Sequence, residues 1–131
     1  MTSVPSAQPS AGEGGARASV LMVDDDALLR DTVASILSHL GYTPVLAATG
    51  EEALARLAEP PEPVLVILDL DMPGMGGAWT LAMIRNQRPE LPVVIASGHH
   101  TRVTAELAEL FPRVSLMPKP YGLQDIRKLL A

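Results

Sequence analysis

A doubly wound α/β domain is the fold class that this sequence predicts, on three observations. Short apolar runs alternate with helix-length amphipathic stretches from Val20 to the end of the chain. The runs are too continuously apolar for a sheet with one wet face, and parallel strands covered on both sides by helices read this way. Polar residues stand at the carboxyl ends of four of the runs, where ligand crevices of such sheets lie.

The chain begins with Ser, Pro, Gly and Ala over residues 1–18, which offer almost nothing to bury and are expected to form a disordered tail. The folded domain is expected over residues 19–131. The first strand is Val20-Leu21-Met22-Val23. Leu29, Val33, Ile36, Leu37 and Leu40 then recur at helical spacing and stop at Gly41. The second strand, Thr43 to Ala47, contains Pro44, which lacks a ladder donor and places this strand at a sheet edge. Thr49 with Glu52 predicts a capping box at the next helix. Val64 to Leu68, Val93 to Ala96 and Val114 to Met117 are the remaining strands. Helices are expected over Gly77 to Arg88, Thr101 to Leu110 and Gly122 to Leu130. Five such units in about 110 residues, with the second strand at an edge, predict the order 2-1-3-4-5.

With 131 residues, 47% of them hydrophobic, the chain has the size of one domain with a real core. A net charge of −5 disfavours direct binding to nucleic acid or anionic lipid, so a protein partner is expected. There is no cysteine, no secretory signal pattern, and no apolar run near the about 18 residues of a membrane span, so a soluble cytoplasmic protein is expected.

Strand one ends in Asp24, Asp25 and Asp26, strand three in Asp69, strand four in Ser97, and strand five, after Pro118, in Lys119. Each has an ordinary reading alone. Asp26 fits a helix cap; Asp24 and Asp25 suit capping or solvation as well as metal binding. Asp69 and Asp71 before Met72-Pro73-Gly74 fit a turn, and Lys119 fits a solvated surface lysine. Their convergence at one sheet edge favours a common site. Carboxylates gathered there repel one another unless a hard divalent cation is present. Mg²⁺ suits Asp25 and Asp69 as ligands, with Asp24 beside them or acting through water. Asp69 would be the nucleophile toward phosphorus, with Ser97 and Lys119 holding phosphoryl oxygens.

These residues resemble the receiver domain of bacterial two-component response regulators, from Ser19 to Leu130. The resemblance is carried by Val-Leu-Met-Val-Asp-Asp-Asp, by Val-Ile-Leu-Asp-Leu-Asp-Met-Pro-Gly-Met-Gly-Gly, by Val-Val-Ile-Ala-Ser-Gly and by Met-Pro-Lys-Pro-Tyr. It implies a flavodoxin-like fold and Asp69 as phosphoacceptor. It also implies Mg²⁺ on Asp25, Asp69 and the backbone carbonyl of Asp71, and a cis bond between Lys119 and Pro120. The phosphoryl donor would be a histidine kinase or phosphotransfer protein, and the receiver itself would catalyse the transfer. Output would pass to a downstream protein partner through helix four, strand five and helix five, a face that also mediates homodimerisation in the family. Asp71 and His99 stand where the family tunes the lifetime of the phosphoaspartate.

The chain departs from the family at Leu116, three residues before the lysine, where an aromatic is usual. No effector domain is expected on either side, which fits a stand-alone receiver or one from a hybrid kinase. Three other readings compete. Asp69-Leu70-Asp71 is similar to the nucleophile and acid pair of haloacid-dehalogenase-like phosphatases, but there that pair lies on the first strand and the acidic pair comes last. A flavin carrier shares the predicted strand order, yet three carboxylates after strand one would repel a flavin phosphate. An interaction module that has lost switching is supported by Leu116 alone.

Overall fold

The computed structural model describes residues 17–73, 76–98 and 102–131. The expected tail lies outside these except for Arg17 and Ala18, and the Ala18 carbonyl already accepts from the Thr43 amide at 2.9 Å. The elements are β1 (Ser19–Val23), α1 (Ala27–His39), β2 (Thr43–Ala47), α2 (Gly50–Leu57), β3 (Leu65–Asp69), α3 (Gly76–Gln87), β4 (Val93–Ser97), α4 (Arg102–Leu110), β5 (Val114–Pro118) and α5 (Leu123–Leu130). All strand pairs are parallel, in the order β2-β1-β3-β4-β5.

Alternate residues of each strand feed two separate cores. Leu21, Val23, Val66, Leu68, Val93 and Ile95 pack with Ala53, Leu57, Leu81 and Ile84, and Leu107 and Phe111 border them, so α2, α3 and α4 cover one face. Val20, Met22, Ile67, Val94, Ala96 and Met117 pack with Val33, Leu37 and Ile126, which puts α1 and α5 on the other. Because β1, β3 and β4 are buried at every position, their sequences read as unbroken apolar runs. β2 is the edge strand that Pro44 predicts, opposite Val20 of β1. β5 is the other edge, with Met117 its one buried residue.

Several boundaries move by one residue. β3 runs one residue later than expected, because Val64 is exposed and Asp69 joins the ladder. β4 and β5 extend to Ser97 and Pro118, which pair with one another. The expected helix start at Thr101 lies outside the described residues. Asp26 caps α1 as expected, accepting from the Leu28 and Leu29 amides at 3.0 and 3.3 Å. At α2 the Thr49 hydroxyl accepts from the Glu52 amide at 3.0 Å, but Glu52 returns its bond to Ala48 rather than to Thr49, at 2.6 Å.

One close approach fixes the site. The α3 helix starts so near the end of β3 that a Cβ on Gly77 would lie 2.5 Å from Leu70 Cα and 2.7 Å from the Asp69 carbonyl oxygen. Only glycine fits there, so this residue sets how closely α3 seats beside Asp69.

Candidate functional site

The carboxyl ends of β1, β3, β4 and β5 bring the polar residues together. Asp24 follows β1, and its own amide bonds to the Ala47 carbonyl at 3.0 Å, which fixes the backbone from which its side chain projects. Its Oδ1 accepts from the Asp26 amide at 2.9 Å. Its Oδ2 is buried and finds no hydrogen-bond partner among the described residues. Burial above all, and then the charge of Asp69, push the Asp24 carboxyl up to about 6, although the Asp26 amide and Lys119 act the other way. A carboxylate held in this way is short of positive charge.

Asp24, Asp25 and Asp69 each offer a carboxylate oxygen, and these oxygens lie within 4.8 Å of one another. Asp24 and Asp69 are buried, while Asp25 is exposed at the mouth. The orphaned Asp24 Oδ2 and the hard oxygen donors fit Mg²⁺, which takes a few carboxylates and keeps several waters. Asp71 is one residue beyond Leu70 in the turn after β3, and its amide donates to Asp69 Oδ1 at 2.9 Å.

Lys119 follows β5, and its bond to Pro120 is cis. Its amide is held by the Ser97 carbonyl at 3.0 Å. Its Nζ donates to Asp69 Oδ1 at 2.9 Å and stands 3.8 Å from both Asp24 Oδ2 and Asp71 Oδ2. Burial alone would lower the pKa of the ammonium, but the bond and charge of Asp69, then Asp24 and Asp71, outweigh it and the net shift is upward. All six residues expected at the site, Asp24, Asp25, Asp69, Asp71, Ser97 and Lys119, are therefore assembled at one end of the sheet. His99 lies outside the described residues.

Two features were not foreseen from sequence. Asp71 was expected to offer its backbone carbonyl to a metal and to stand where the family tunes the phosphoaspartate lifetime, with no partner for its side chain named; that side chain accepts from Ser97 Oγ and from the Gly98 amide, each at 3.0 Å. Ser97 is thus engaged by Asp71. Arg30, one turn into α1, donates from Nη1 to the Asp24 carbonyl at 2.8 Å and braces the β1–α1 turn. Its place four residues after the Asp26 cap was the available signal. Nearby, Tyr121 Oη meets Met22 Sδ at 4.0 Å, and burial first, then Asp24 and Asp69, raise its phenol pKa.

Chemically, a buried acid beside two others, with an ammonium bonded to it and a hydroxyl on the adjacent Asp71, combines a cation pocket with donors for an anion. The comparisons with known proteins agree with this geometry. The family model for the response regulator receiver domain matches residues 20–131. Among curated proteins, a putative NtrX-like response regulator of Rickettsia bellii is 39% identical over 113 residues, covering 85% of this chain and 23% of that protein. The DNA-binding transcriptional regulator NtrC of Salmonella typhimurium is 34% identical, covering 83% of this chain and 23% of that protein. The chain thus spans about a quarter of the length of these relatives. Among solved structures, the Vibrio cholerae chemotaxis protein CheY4 superposes with a TM-score of 0.81 at 27% identity, covering 88% of this chain and 97% of that one. The receiver domain of NtrX from Brucella abortus does so with a TM-score of 0.76 at 36% identity, covering 84% and 92%. With the parallel sheet in the order 2-1-3-4-5 and the acidic cluster at its carboxyl edge, the chain belongs to the receiver domain family of two-component response regulators.

Proposed function

We propose that this receiver domain is a phosphorylation switch whose phosphoacceptor is Asp69. The observation that carries the reading is the pairing of a cation pocket with anion-binding donors at one buried carboxylate: Asp24 and Asp25 offer oxygens within 4.8 Å of one from Asp69, Lys119 Nζ donates to Asp69 at 2.9 Å, and Ser97 stands at the end of the neighbouring strand β4. In the transfer, an Asp69 oxygen bonds to phosphorus, the phosphorus–nitrogen bond of a phosphohistidine breaks, and the freed imidazole of a histidine kinase or phosphotransfer protein takes up a proton. Water later attacks phosphorus and returns Asp69 with inorganic phosphate.

Asp25, Asp69 and the Asp71 carbonyl would hold Mg²⁺, with Asp24 beside it. The cation supplies charge compensation between the acids and the incoming phosphoryl group. Lys119 starts paired to Asp69 and follows the negative charge onto the phosphoryl oxygens. Ser97 supplies a hydroxyl at the end of β4. Output then passes to a protein partner over α4, β5 and α5, where Leu110 and Leu116 present exposed apolar surface. That face is also where a second copy of the chain would dock. The absence of the usual aromatic at Leu116 alters the readout on β5 and leaves phosphoryl acceptance untouched.

The test is intact-mass spectrometry after incubation with acetyl phosphate, with and without Mg²⁺, on the wild type and on Asp69→Asn. A Mg²⁺-dependent gain of one phosphoryl group that is lost in the mutant is expected. No gain under any condition would overturn the reading and favour an interaction module that does not switch.

A further inference from the structure

The Asp71 carboxylate engages the end of β4 with each of its oxygens. Oδ1 accepts from Ser97 Oγ and Oδ2 from the Gly98 amide, both at 3.0 Å, and Lys119 Nζ stands 3.8 Å from Oδ2. Ser97 is buried, and its neighbours fix it from two sides: it lies in register with Pro118 of β5, and its carbonyl takes the Lys119 amide. A turn residue with only a local role would bond its own neighbours, as Asp26 does at α1. Asp71 reaches 26 and 27 positions along the chain, to the end of β4, the strand that pairs with β3 beside Asp69.

We infer that the Asp71 carboxylate is a built-in anion that occupies the donors a phosphoryl group on Asp69 needs, and so latches the β4 end in its unphosphorylated arrangement. The inference rests on the reading of Asp69 as phosphoacceptor. One hydroxyl and one amide cannot serve a carboxylate and a phosphoryl group at once, and Lys119 is drawn to both anions. The tether gives Asp71 a permanent high local concentration, so a phosphoryl group must displace it before Ser97 can close on the new charge. Displacement would also release the Gly98 amide from Asp71, which links charge at Asp69 to the end of β4. Asp71 is a positioning residue here, acting through Ser97 and Gly98.

The probe is fluoroberyllate, a stable phosphoryl mimic, bound to the full chain at Mg²⁺ concentrations that saturate each variant, with the Gly98 amide followed by NMR. In the metal-free protein, Asp71→Ala should move the Gly98 amide proton upfield, as expected for loss of a charge-assisted bond. With Mg²⁺, Asp71→Ala should bind fluoroberyllate roughly tenfold more tightly, because two bonds no longer have to be broken first. Asp71→Asn, which keeps one acceptor and loses the charge, should fall between. The gain should shrink strongly in a Ser97→Ala background, since the latch works through that hydroxyl. An unmoved Gly98 amide, unchanged or weaker fluoroberyllate binding, or a gain of equal size with and without Ser97 would each overturn the latch; the last would assign the effect to charge repulsion alone. Wild-type protein that binds no fluoroberyllate and takes no phosphoryl group from acetyl phosphate would overturn the phosphoacceptor reading, and the latch with it.

Discussion

Lys119 Nζ lies 2.9 Å from Asp69 Oδ1 and 3.8 Å from Asp24 Oδ2, so among the described residues one ammonium is the positive charge that these two buried carboxylates share. It stands where a divalent cation would also be drawn. Lysine and Mg²⁺ therefore compensate the same repulsion, and removing one makes the other more important.

Lys119→Met should accordingly lower metal-free stability by about 1–2 kcal/mol, through loss of a partly buried charge-assisted bond. The same change should tighten Mg²⁺ binding several-fold, because the site loses a competing charge. Urea unfolding in EDTA and in Mg²⁺ measures both. A variant that is destabilised equally in the two conditions would contradict the shared role.

The second prediction concerns Asp24, which is almost fully buried and carries an unpartnered oxygen. Its carboxyl sits at about 6 in the folded protein against an ordinary value of 3.8, chiefly because burial disfavours the charged form. A raised folded pKa means that the native state holds this proton more tightly than the unfolded chain does. The associated stability is present in full below pH 3.8 and is lost as pH rises through 6. Metal-free protein should therefore lose about 1–3 kcal/mol from this group between those limits, superposed on the other carboxylates. Asp24→Asn, which can still accept from the Asp26 amide, should be more stable than wild type at neutral pH without metal and should bind Mg²⁺ more weakly. Unfolding curves at pH 5 and pH 7.5 in EDTA, followed by Mg²⁺ titration, would show both effects.

How far the site was legible in the sequence depends on which part of each residue does the work. Asp24, Asp25, Asp69, Ser97 and Lys119 were readable because each ends an apolar strand, and parallel topology sends all such ends to one edge. Pro44 marked the edge strand through its missing donor, and the order 2-1-3-4-5 followed. The Asp71 side chain was not readable. It sits in a turn, where no periodicity dictates direction, and its partners Ser97 and Gly98 are brought near only by the β3–β4 pairing. The Arg30 bond to the Asp24 carbonyl and the return of Glu52 to Ala48 are likewise side-chain choices among several backbone groups within reach. Strand ends shifted by one residue where a polar side chain, Asp69 or Ser97, stayed in the ladder.

The third prediction tests the seat of α3. Gly77→Ala would put a methyl group into the backbone of Leu70 and Asp69, where neither contact is a flexible side-chain end. The start of α3 must then move away from β3. A cost of about 1–3 kcal/mol is expected from overpacking. Because the clash is at the Asp69 carbonyl, phosphoryl uptake from acetyl phosphate should fall more than the change in folded fraction explains. Uptake that simply tracks folded protein would mean that the seat of α3 matters for stability alone.

The last prediction separates metal binding from folding at one residue. Asp25 belongs to the same carboxylate cluster as Asp24 and Asp69 but is exposed, so water solvates it when no cation is bound. Replacing it should cost the metal-free fold little, within about 0.5 kcal/mol, as for most exposed positions. Its loss removes a ligand, however, and binding stabilises the fold by an amount that grows with the logarithm of free ligand over its dissociation constant. Wild-type protein should gain stability as Mg²⁺ rises, by roughly 1.4 kcal/mol at ten times the dissociation constant. Asp25→Ala should show the same unfolding midpoint as wild type in EDTA and little or no rise over the same Mg²⁺ range. Asp24→Asn should differ from it by starting from a higher midpoint, because that change removes a buried charge as well as a neighbour of the metal. If Asp25→Ala keeps the full Mg²⁺-dependent rise, the cation is held without Asp25, and the cluster divides between the buried pair Asp24 and Asp69 and a solvated bystander.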